Sequence, residues 1–402
     1  MPKRFDVAVV GGGAAGLVAA ISAARRGASV VICDRMPRLG KKILATGGGR
    51  CNLSNEDLSP AAFTSTSRNL VASVFDRFGE KDIRAFFRGL GLEMYAEEGR
   101  LFPVTNQASS VLGLLEDEVL RLGVLAELGF DAADVRGRED SFAISSADGR
   151  HCEATSVVLA GGGRSYPALG SNGSAYRLAH GFGHTIIPPV PSAVPVLVKD
   201  RFCHHLQGVK ARAKATAVVE GKPAGTAEGD VLFTQYGLSG TAVLDVSESL
   251  SVALNRDGLT SAGLVLDLVP FLSRGALAAR FAKRLKEGRA AADLALGLLP
   301  DRFAAVLAGM APQDVRDPVA AGAALAASLK EKRFTVYGTR GWNEAEFTSG
   351  GVDAREVDPR TLASRHQKGL YFAGEILDVQ GKRGGYNLAW AWASGFVAGL
   401  GE

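Results

Sequence analysis

The chain opens with two short apolar runs separated by a glycine turn and an alanine-rich segment. Residues 5–10 and 29–33 are rich in valine and other apolar residues, a pattern typical of buried parallel strands. Between them, residues 14–26 have the composition of a helix, and Gly27 stands where a helix C-cap is expected. The pattern predicts a β-α-β unit of about 30 residues, whose second strand ends at Asp34.

Further along, the hydrophobic pattern changes character at a cluster of prolines. Residues 67–128 are mostly helical by pattern, with an interruption at 99–103, and two strands are predicted at 142–146 and 156–159. Prolines at four positions between 188 and 195 mark a boundary. Beyond it, strand-like runs alternate with turns, and we predict strands at 215–219, 230–234, 242–246 and 263–269.

The last third of the chain is first helical and then glycine-rich again. Residues 271–333 are rich in alanine, leucine and arginine, and Leu277, Phe281 and Leu285 fall on one helical face. The glycine-rich α/β character returns after Phe347, with a strand predicted at 369–373 and a helix at 387–400. The chain thus predicts one α/β domain in two segments, 1–190 and 346–402, interrupted by a β-rich insert at 191–270 and a helical insert at 271–345.

A Gly-x-Gly-x-x-Gly turn follows the first strand and opens the first helix. Gly11 permits the tight turn, Gly13 lets a pyrophosphate approach the backbone, and Gly16 lets the helix and strand pack closely. Asp34 is placed to accept hydrogen bonds from ribose hydroxyls. A turn of this kind without a ligand is the alternative, but the strand before it, the helix after it and the acidic residue favour a dinucleotide.

The start of the first helix provides the remaining donors for the dinucleotide. The N–H groups of Ala14 and Ala15 and the positive end of the helix dipole suit its phosphates. The motif itself does not separate FAD from NAD. A flavin needs further loops for its ribityl chain and ring, and the chain has two glycine-rich candidates, 40–55 and 373–388. We therefore predict a non-covalently bound FAD.

Motifs spread over the chain resemble those of a known family. They are Gly-Gly-Gly-Arg-Cys-Asn at 47–52, Leu-Phe-Pro at 101–103, Leu-Ala-Gly-Gly at 159–162, Ser-Tyr-Pro at 165–167, the run at 232–240, the run at 369–378 and Gly-Gly-Tyr-Asn at 384–387. In this order they are similar to the HI0933-like family of bacterial FAD-dependent flavoproteins. The resemblance implies an α/β fold in which a Rossmann-like, two-segment FAD-binding domain carries a β-barrel-like insert and a helical insert.

The resemblance also implies which residues contact the cofactor. Residues along the flavin are Arg50, Cys51 and Asn52, those on the ribityl and pyrophosphate side are Glu375 and Asp378, and those at the isoalloxazine are Gly385, Tyr386 and Asn387. The last group precedes a helix, whose N–H groups suit a reduced, anionic flavin. The complete predicted cofactor-binding set is Gly11, Gly13, Ala14, Ala15, Gly16, Asp34, Arg35, Lys42, Gly49, Arg50, Cys51, Asn52, Gly161, Gly162, Gly374, Glu375, Asp378, Gly385, Tyr386 and Asn387.

The sequence does not identify a catalytic acid or base. Gln235, Tyr236, Tyr386 and Asn387 are the polar candidates for the substrate face. The resemblance leads us to expect a histidine where Gln235 stands and a proline where Thr241 stands. If that histidine donates a proton in other members, this protein lacks the donor, so its substrate differs and it forms a divergent subgroup.

The cysteine, histidine and tryptophan positions each allow a functional and a structural interpretation. Cys51 is either a reactive thiol beside the flavin or a packed side chain, and packing is favoured. No Cys-x-x-Cys pair is present, which argues against a disulfide reductase. The neighbours His204 and His205 do not have metal-ligand spacing, and no metal is predicted. Trp390 and Trp392 lie in a small-residue helix, where core packing is favoured over stacking on a substrate.

Composition adds limits on location and partners. The net charge of +4 by itself indicates neither a nucleic acid nor a membrane partner, and no run beyond the first strand and helix is apolar and long enough to span a bilayer. Four scattered cysteines favour reduced thiols and a cytoplasmic location. Residues 271–345 carry 12 basic and 7 acidic residues, so an RNA or phosphorylated partner stays a weaker alternative. The oligomeric state is not indicated.

The leading functional hypothesis is a reductase that passes hydride from NAD(P)H through FAD N5 to an activated C=C bond of an unidentified small molecule or nucleotide. Tyr166 replaces the last glycine of a second fingerprint at 161–166, so NAD(P)H is expected to bind only transiently. The family is similar to enzymes that reduce steroid-like alkenes, reduce uridine in ribosomal RNA or oxidise aminoacetone. An amine oxidase that uses O₂, an rRNA uridine reductase and a non-enzymatic binding module are therefore kept as alternatives.

Overall fold

The computed structural model describes residues 4–310 and 316–401, which form two compact units. The first unit comprises Met1–Pro189 and Thr348–Glu402, and the second comprises Val190–Phe347. Residues 1–3 and 402 of the predicted two-segment domain and 311–315 of the predicted helical insert lie outside the described residues. The chain leaves the first unit within one strand and returns within another, and these are β10 and β18 in the numbering below.

Nineteen strands are formed by the described residues, and they are numbered along the chain. They are β1 (Arg4–Val10), β2 (Val30–Asp34), β3 (Ser54–Asn55), β4 (Met94–Glu97), β5 (Arg100–Pro103), β6 (Leu125–Leu128), β7 (Ala132–Gly137), β8 (Phe142–Ser146), β9 (His151–Leu159), β10 (Ile186–Ser192), β11 (Val196–Leu197), β12 (Lys210–Val219), β13 (Lys222–Thr234), β14 (Gly237–Ser239), β15 (Ala262–Asp267), β16 (Lys332–Thr335), β17 (Gly338–Thr339), β18 (Phe347–Val352) and β19 (Leu370–Phe372).

Eleven α-helices are formed by the same described residues. They are α1 (Ala14–Arg25), α2 (Arg68–Arg77), α3 (Glu80–Gly89), α4 (Ala108–Arg121), α5 (Ser174–Gly181), α6 (Arg201–His205), α7 (Thr241–Ser251), α8 (Arg274–Lys286), α9 (Phe303–Met310), α10 (Pro318–Lys330) and α11 (Tyr386–Leu400). Within residues 4–310 and 316–401, none of these helices combines the length and the apolar character that crossing a membrane requires.

A mainly parallel sheet forms the centre of the first unit. Strand β1 pairs in parallel with β2 and β9, and these pairings place Val9 opposite Ile32 and Val158. The sheet continues in parallel to β6 and β19 and antiparallel to β8 and β7. Every residue of β2 is buried, which is why this strand has an unbroken apolar run rather than an alternating pattern.

The carboxyl ends of the parallel strands β1, β2, β9 and β19 meet at one edge of this sheet. The loops that follow them are the glycine turn after Val10, the loop after Asp34, the glycines after Leu159 and the turn after Phe372. In open α/β sheets this edge is where ligands bind. The fold therefore brings four segments that are distant in the sequence to one place.

Helices α1 and α11 pack against each other through small residues in the first unit. A Cβ added to Gly395 would lie 2.3 Å from the carbonyl oxygen of Ala15, and one added to Gly399 would lie 2.3 Å from that of Ala19. Both contacts advance by four residues in the same direction, so the helices are parallel. Gly395 is nine residues beyond the first residue of α11, whereas Ala15 is one beyond the first of α1. At 1.5 Å per residue, the first residue of α11 therefore extends about 12 Å beyond the first residue of α1 along their common direction.

The second unit is built on an antiparallel sheet covered by helices. Its seven strands have the order β16-β15-β12-β13-β14-β11-β17. One buried core contains Leu264 of β15 together with Leu277 and Phe281 of α8. The segments predicted as a β-rich insert at 191–270 and a helical insert at 271–345 therefore share this core, and the second segment supplies strands β16 and β17.

The strand predicted at 242–246 is wrong, because these residues belong to helix α7. Gly240 adopts a positive φ of 94° immediately before the helix and ends the preceding strand. The buried apolar residues of α7 then recur at helical spacing, and they are Ala242, Val243, Val246 and Leu250. The segment 242–246 alone is compatible with a strand or a helix. Only the spacing of buried residues over the whole of α7 distinguishes the two.

Candidate functional site

The glycine turn after β1 contains glycines with two different physical requirements. Gly11 has a φ of 107°, and an added Cβ would lie 2.5 Å from the carbonyl oxygen of Ala160. A Cβ on Gly16 would lie 1.8 Å from the carbonyl oxygen of Gly11. Gly13 has an ordinary φ of −79°, and no described atom lies within 4 Å of an added Cβ. Protein packing explains why glycine is needed at Gly11 and Gly16, whereas open space suited to a ligand lies beside Gly13.

Two helices of the first unit begin at glycines next to this edge of the sheet. Gly13 is the N-cap of α1, and Gly385, with a φ of 98°, is the N-cap of α11. A glycine has no side chain to accept the N–H groups of the first turn, so these donors suit a ligand. The two positive helix ends point the same way. Positive helix ends of this kind would suit the pyrophosphate and the electron-rich pyrimidine edge of a flavin.

Asp34 lies at the end of β2, where the sequence predicted a ribose contact. Its Oδ2 accepts from the N–H of Gly12 at 2.5 Å, and its Oδ1 accepts from that of Met36 at 2.7 Å. Burial raises the pKa of the Asp34 carboxyl, although both N–H groups act to lower it. Each carboxylate oxygen has a further lone pair, so Asp34 can also accept from a ribose diol. The open turn, the glycine-capped helices and this carboxylate fit the adenosine and pyrophosphate of FAD.

The loops at this edge also contain Gly161, Gly162 and Gly374 of the predicted set. A Cβ on Gly161 would lie 2.6 Å from Cβ of Ala175, and one on Gly374 would lie 2.8 Å from Cβ of Ala15. Gly162 and Gly374 have φ values of 71° and 78°. These glycines therefore allow the loops to approach α5 and α1 closely, whether or not they also contact a ligand.

Lys42 and Glu375, both predicted to contact the cofactor, bind each other. The ammonium of Lys42 lies 2.9 Å from Oε2 of Glu375 and donates to the hydroxyl of Ser165 at 2.7 Å. The hydroxyl of Ser165 and the N–H of Thr348 donate to Oε1 of Glu375 at 3.2 and 2.9 Å. Protein donors thus contact both oxygens of Glu375, and the carboxylate ties together the loops after β2, β9 and β19. The ribityl contact of Glu375 stays a prediction.

Replacing Lys42 by Met and Glu375 by Gln, singly and together, is expected to give a double-mutant coupling of about 1 kcal/mol in the free energy of unfolding. Both side chains are about a quarter exposed, so solvent screening keeps this value modest. Urea denaturation of flavin-free protein measures it. A coupling seen only after FAD is added would contradict a structural role and restore both residues to the cofactor.

Two other charged members of the predicted set also have protein partners. Arg35 pairs with Asp131 at 3.2 Å between Nη2 and Oδ2. Oδ1 of Asp378 accepts from the N–H of Gly350 at 2.9 Å. Asp378 therefore helps to hold β18 next to the turn that follows β19.

Arg50 is bound by the β4–β5 hairpin, which accounts for the interruption predicted at 99–103. Its Nη2 donates to Oη of Tyr95 at 2.6 Å and to Oε2 of Glu97 at 2.8 Å, and its Nε donates to Oδ1 of Asn106 at 2.9 Å. The guanidinium also lies 4.2 Å from the ring centroid of Phe102. These contacts hold the guanidinium at the hairpin, and the place of Arg50 along the flavin stays a prediction. The nearest partner is 45 residues away in sequence, so no local pattern indicates the contacts.

Cys51 lies just after the glycines at 47–49 and is completely buried. Gly49 has a φ of 92° and no described atom within 4 Å of an added Cβ, whereas Cys51 itself has a φ of 60°. Burial raises the pKa of the Cys51 thiol to about 12. The thiol is therefore protonated at neutral pH, and the contacts agree with packing rather than with a nucleophile.

In native protein Cys51 is expected to resist thiol-reactive dyes below about pH 10, because its raised pKa leaves little thiolate to react. All four cysteines are buried, so dye uptake should appear only on denaturation. The Cys51→Ala variant should keep its flavin and its rate of flavin reduction within about twofold, since no thiolate takes part. Rapid labelling of Cys51 at pH 7, or loss of flavin reduction in the variant, would contradict this prediction.

The loop before α11 is held by two asparagines. Oδ1 of Asn387 accepts from the N–H of Gly381 at 2.9 Å, and its Nδ2 donates to the carbonyl of Gly381 at 2.8 Å. In the orientation that satisfies both ends of its amide, Asn52 accepts from the N–H of Gly385 at 3.1 Å and donates to the carbonyl of Ser54 at 3.0 Å. Asn387, a candidate catalytic residue in the sequence, therefore positions this loop.

Aromatic residues pack behind the same loops. Trp390 and Trp392 are buried as predicted, and their indole N–H groups donate to the carbonyls of Gly374 and Leu53 at 3.1 and 2.9 Å. The ring of Tyr386 meets that of Phe63 edge-on, with centroids 5.8 Å apart. Burial raises the pKa of the Tyr386 hydroxyl, so it is protonated at neutral pH.

The other two catalytic candidates, Gln235 and Tyr236, form the turn between β13 and β14 in the second unit. Gln235 is exposed, and Tyr236 is partly buried. The guanidinium of Arg340 lies 4.7 Å from the ring centroid of Tyr236 and pairs with Glu344 at 2.5 Å. The turn therefore presents an amide next to an aromatic ring that is covered by a cation on one side.

Two features of the first unit were missed by sequence reasoning. The hydroxyl of Tyr176 is buried and has no hydrogen-bond partner among the described residues. Burial raises its pKa, with a smaller contribution from the charges of Glu375 and Asp378. The second feature is a cluster of His184, Glu356 and His366, whose members are too far apart in the sequence to form a motif. Only folding brings such residues together.

Comparisons with known proteins show the family of this chain. The family model described as HI0933-like protein Rossmann domain matches residues 5–401. A 3-dehydro-bile acid delta(4,6)-reductase from Clostridium scindens is 35% identical over 403 residues, covering 98% of both chains. A ribosomal RNA dihydrouridine synthase from Escherichia coli is 32% identical and covers 98% of this chain and 97% of that relative.

A solved structure shows the same fold at much lower sequence identity. The 3-ketosteroid delta1-dehydrogenase from Sterolibacterium denitrificans matches with a TM-score of 0.50 and 14% identity, covering 99% of both chains. The glycine turn, the glycine-capped helices and the full-length match lead to one conclusion. The chain belongs to the HI0933-like family and is an FAD-dependent oxidoreductase with a Rossmann domain.

Proposed function

We propose that the protein reduces an activated C=C bond of a small molecule, with NAD(P)H as the electron donor. The observation that carries the proposal is that two relatives aligned over almost their full length have names that describe hydrogen added across a C=C bond. Dihydrouridine is uridine with its ring double bond reduced, so both reactions have this step in common. When bound, FAD supplies hydride transfer at its N5 atom.

The residues of the first unit support such a reaction by holding a cofactor rather than by attacking a substrate. The starts of α1 and α11 provide N–H donors and positive dipole ends. Asn52 and Asn387 fix the loop before α11. Cys51 is protonated at neutral pH, which disfavours a covalent thiol mechanism. The proton donor stays unassigned: Tyr236 and Tyr386 have hydroxyls that could donate a proton, and Gln235 is a candidate for contact with the substrate.

Electron supply is proposed to come from NAD(P)H that binds transiently. Tyr166 stands where a second dinucleotide fingerprint needs glycine, so this chain has one such fingerprint and not two. A nicotinamide that binds transiently needs only access to the flavin and does not need a separate binding domain. A cytoplasmic location would supply reduced nicotinamide, and it stays a prediction.

Contacts made by Arg284 and Lys283 reduce the number of α8 cations that are available to RNA. Arg284 is not available as a phosphate contact, because its Nη1 donates to the carbonyls of Leu294 and Leu296 at 2.6 and 3.0 Å. Lys283 lies 3.9 Å from Glu287. Arg280, Lys283 and Lys286 of this helix are exposed. A surface for RNA normally has several phosphate contacts.

The test is the absorbance spectrum of the purified protein under anaerobic conditions. Bleaching of the flavin by NADPH or NADH, slow recovery in air and fast recovery with a conjugated steroid dienone would support the proposal. A flavin that ignores NAD(P)H but is reduced by an amine and rapidly reoxidised by air would replace it with the amine oxidase alternative.

The RNA alternative has its own arm in the same experiment. Reoxidation of the reduced flavin by unmodified ribosomal RNA, but not by the dienone, would favour a uridine reductase. That activity should then weaken with salt and on neutralising Arg280 and Lys286 to Gln. Gly13→Val protein, which is expected to lack flavin, is the control for reduction that does not depend on the cofactor.

A further inference from the structure

Two histidines and a glutamate meet in the first unit, away from the glycine turn in the sequence. His184 follows α5, Glu356 follows β18, and His366 precedes β19. One ligand atom from each of the three lies within 4.8 Å of the other two. The ring of His184 also packs against buried Phe372, with centroids 4.7 Å apart. The cluster therefore joins the segment that leaves the first unit to the segment that returns to it.

Two of the distances within the cluster match those between ligands of one small ion. Nδ1 of His184 lies 3.2 Å from Oε2 of Glu356, and Nε2 of His366 lies 3.5 Å from the same oxygen. Zn²⁺ forms bonds of about 2.1 Å to imidazole nitrogen and carboxylate oxygen, so neighbouring tetrahedral ligands lie roughly 3.4 Å apart. Two imidazoles and one carboxylate are a ligand set that zinc commonly takes.

Burial and the surrounding contacts favour a ligand role for His184. Its side chain has no exposed surface, and its Nδ1 lies 3.2 Å from Oε2 of Glu356 without the geometry of a hydrogen bond. A buried polar nitrogen without a well-aligned partner is costly unless something binds it. Its other ring nitrogen lies 2.6 Å from the hydroxyl oxygen of Ser364, and metal-binding histidines typically use the second nitrogen in this way.

The other two residues are also oriented and accessible. The N–H of Thr185 donates to Oε2 of Glu356 at 2.8 Å, which holds the carboxylate toward the histidines. The hydroxyl oxygen of Ser364 accepts from the N–H groups of His366 and Gln367, both at 3.0 Å. The side chain of His366 is 40% exposed, so an ion can enter from that side and keep a water molecule as its fourth ligand.

We propose that His184, Glu356 and His366 bind one Zn²⁺ ion that fastens residues 184–185 to residues 356–366. The competing arrangement is a hydrogen bond from Nδ1–H of His184 to Glu356 with no ion. The two differ in metal stoichiometry, which does not depend on the flavin reaction. A failure of the reductase proposal would therefore leave this one intact.

The experiment uses flavin-loaded protein without a histidine tag, stripped with EDTA and titrated with ZnCl₂. We expect about one Zn²⁺ per chain by calorimetry and elemental analysis. A melting temperature about 5 °C higher is expected at Zn²⁺ concentrations 100-fold above Kd. His366→Gln and Glu356→Gln should each weaken binding by at least about 10-fold. His184 is left unchanged because its burial makes misfolding of a variant a competing explanation.

His151→Gln is the matched control, since His151 is an exposed histidine of the same unit outside the cluster. It should bind Zn²⁺ and gain thermal stability like the unaltered protein. Stoichiometry well below one, or equal Zn²⁺ binding by His366→Gln and His151→Gln, would overturn the proposal. Either result would identify the cluster as a hydrogen-bonded one.

Discussion

Gly13→Val is expected to give folded protein that binds FAD about 100-fold more weakly, or about 2.7 kcal/mol. The physical reason is that Gly13 has an ordinary extended backbone and open space around an added Cβ. Valine can therefore be accommodated by the protein but occupies the space proposed for the pyrophosphate. The ratio of flavin to protein absorbance measures cofactor content, and circular dichroism measures folding.

The control for this variant is Gly113→Val on α4. Gly113 is exposed and has no described atom within 4 Å of an added Cβ, but it does not lie in the glycine turn. It should retain FAD. A Gly13→Val protein that is fully loaded with FAD would refute the assignment of the turn to the pyrophosphate, whereas an unfolded one would show that the turn is more tightly packed than the structure indicates.

Gly395→Val is expected to destabilise the first unit by about 3 kcal/mol or more, at the upper end of overpacking costs. An added Cβ would lie 2.3 Å from the carbonyl oxygen of Ala15, and backbone cannot move aside as a flexible side chain can. Separating α11 from α1 also displaces the start of each helix, so FAD should be lost together with stability. Urea denaturation with flavin fluorescence follows both quantities.

Gly113→Val again serves as the control, because it makes the same exchange within a helix that has room for it. Its stability should change by no more than about 0.5 kcal/mol. If Gly395→Val were as stable as this control, the parallel contact between α1 and α11 would be incorrect, and the 12 Å offset between their starts would no longer hold.

Local chain properties account for the parts of the fold that sequence reasoning predicted correctly. The β-α-β unit follows from two apolar runs and an alanine-rich helix, and Asp34 follows at the end of the second strand. The positive φ of Gly11 follows from the spacing of the glycine turn. The strand prediction at 242–246 used the same reasoning and was wrong, because a segment of five residues is too short to distinguish a strand from a helix such as α7.

Side-chain partners are where sequence reasoning was least informative. Lys42 and Glu375 were both predicted to contact the cofactor, but each is the partner of the other, 333 residues away. Arg50 lies next to the glycines of its motif, and its guanidinium binds the β4–β5 hairpin. A motif indicates which backbone comes near a ligand. Which charges then pair is decided by segments that are remote in the sequence.

The sequence by itself determined the family, the nucleotide-binding unit and the requirement for glycine in its turn, because periodicity and backbone torsions are local properties. Only the tertiary structure decided that α1 and α11 lie parallel, that Asn387 holds a loop, and that His184, Glu356 and His366 meet. These arrangements depend on which strand ends share an edge of the sheet and on which surfaces fit each other. Contacts of that kind join residues hundreds of positions apart and are made only when the chain is folded.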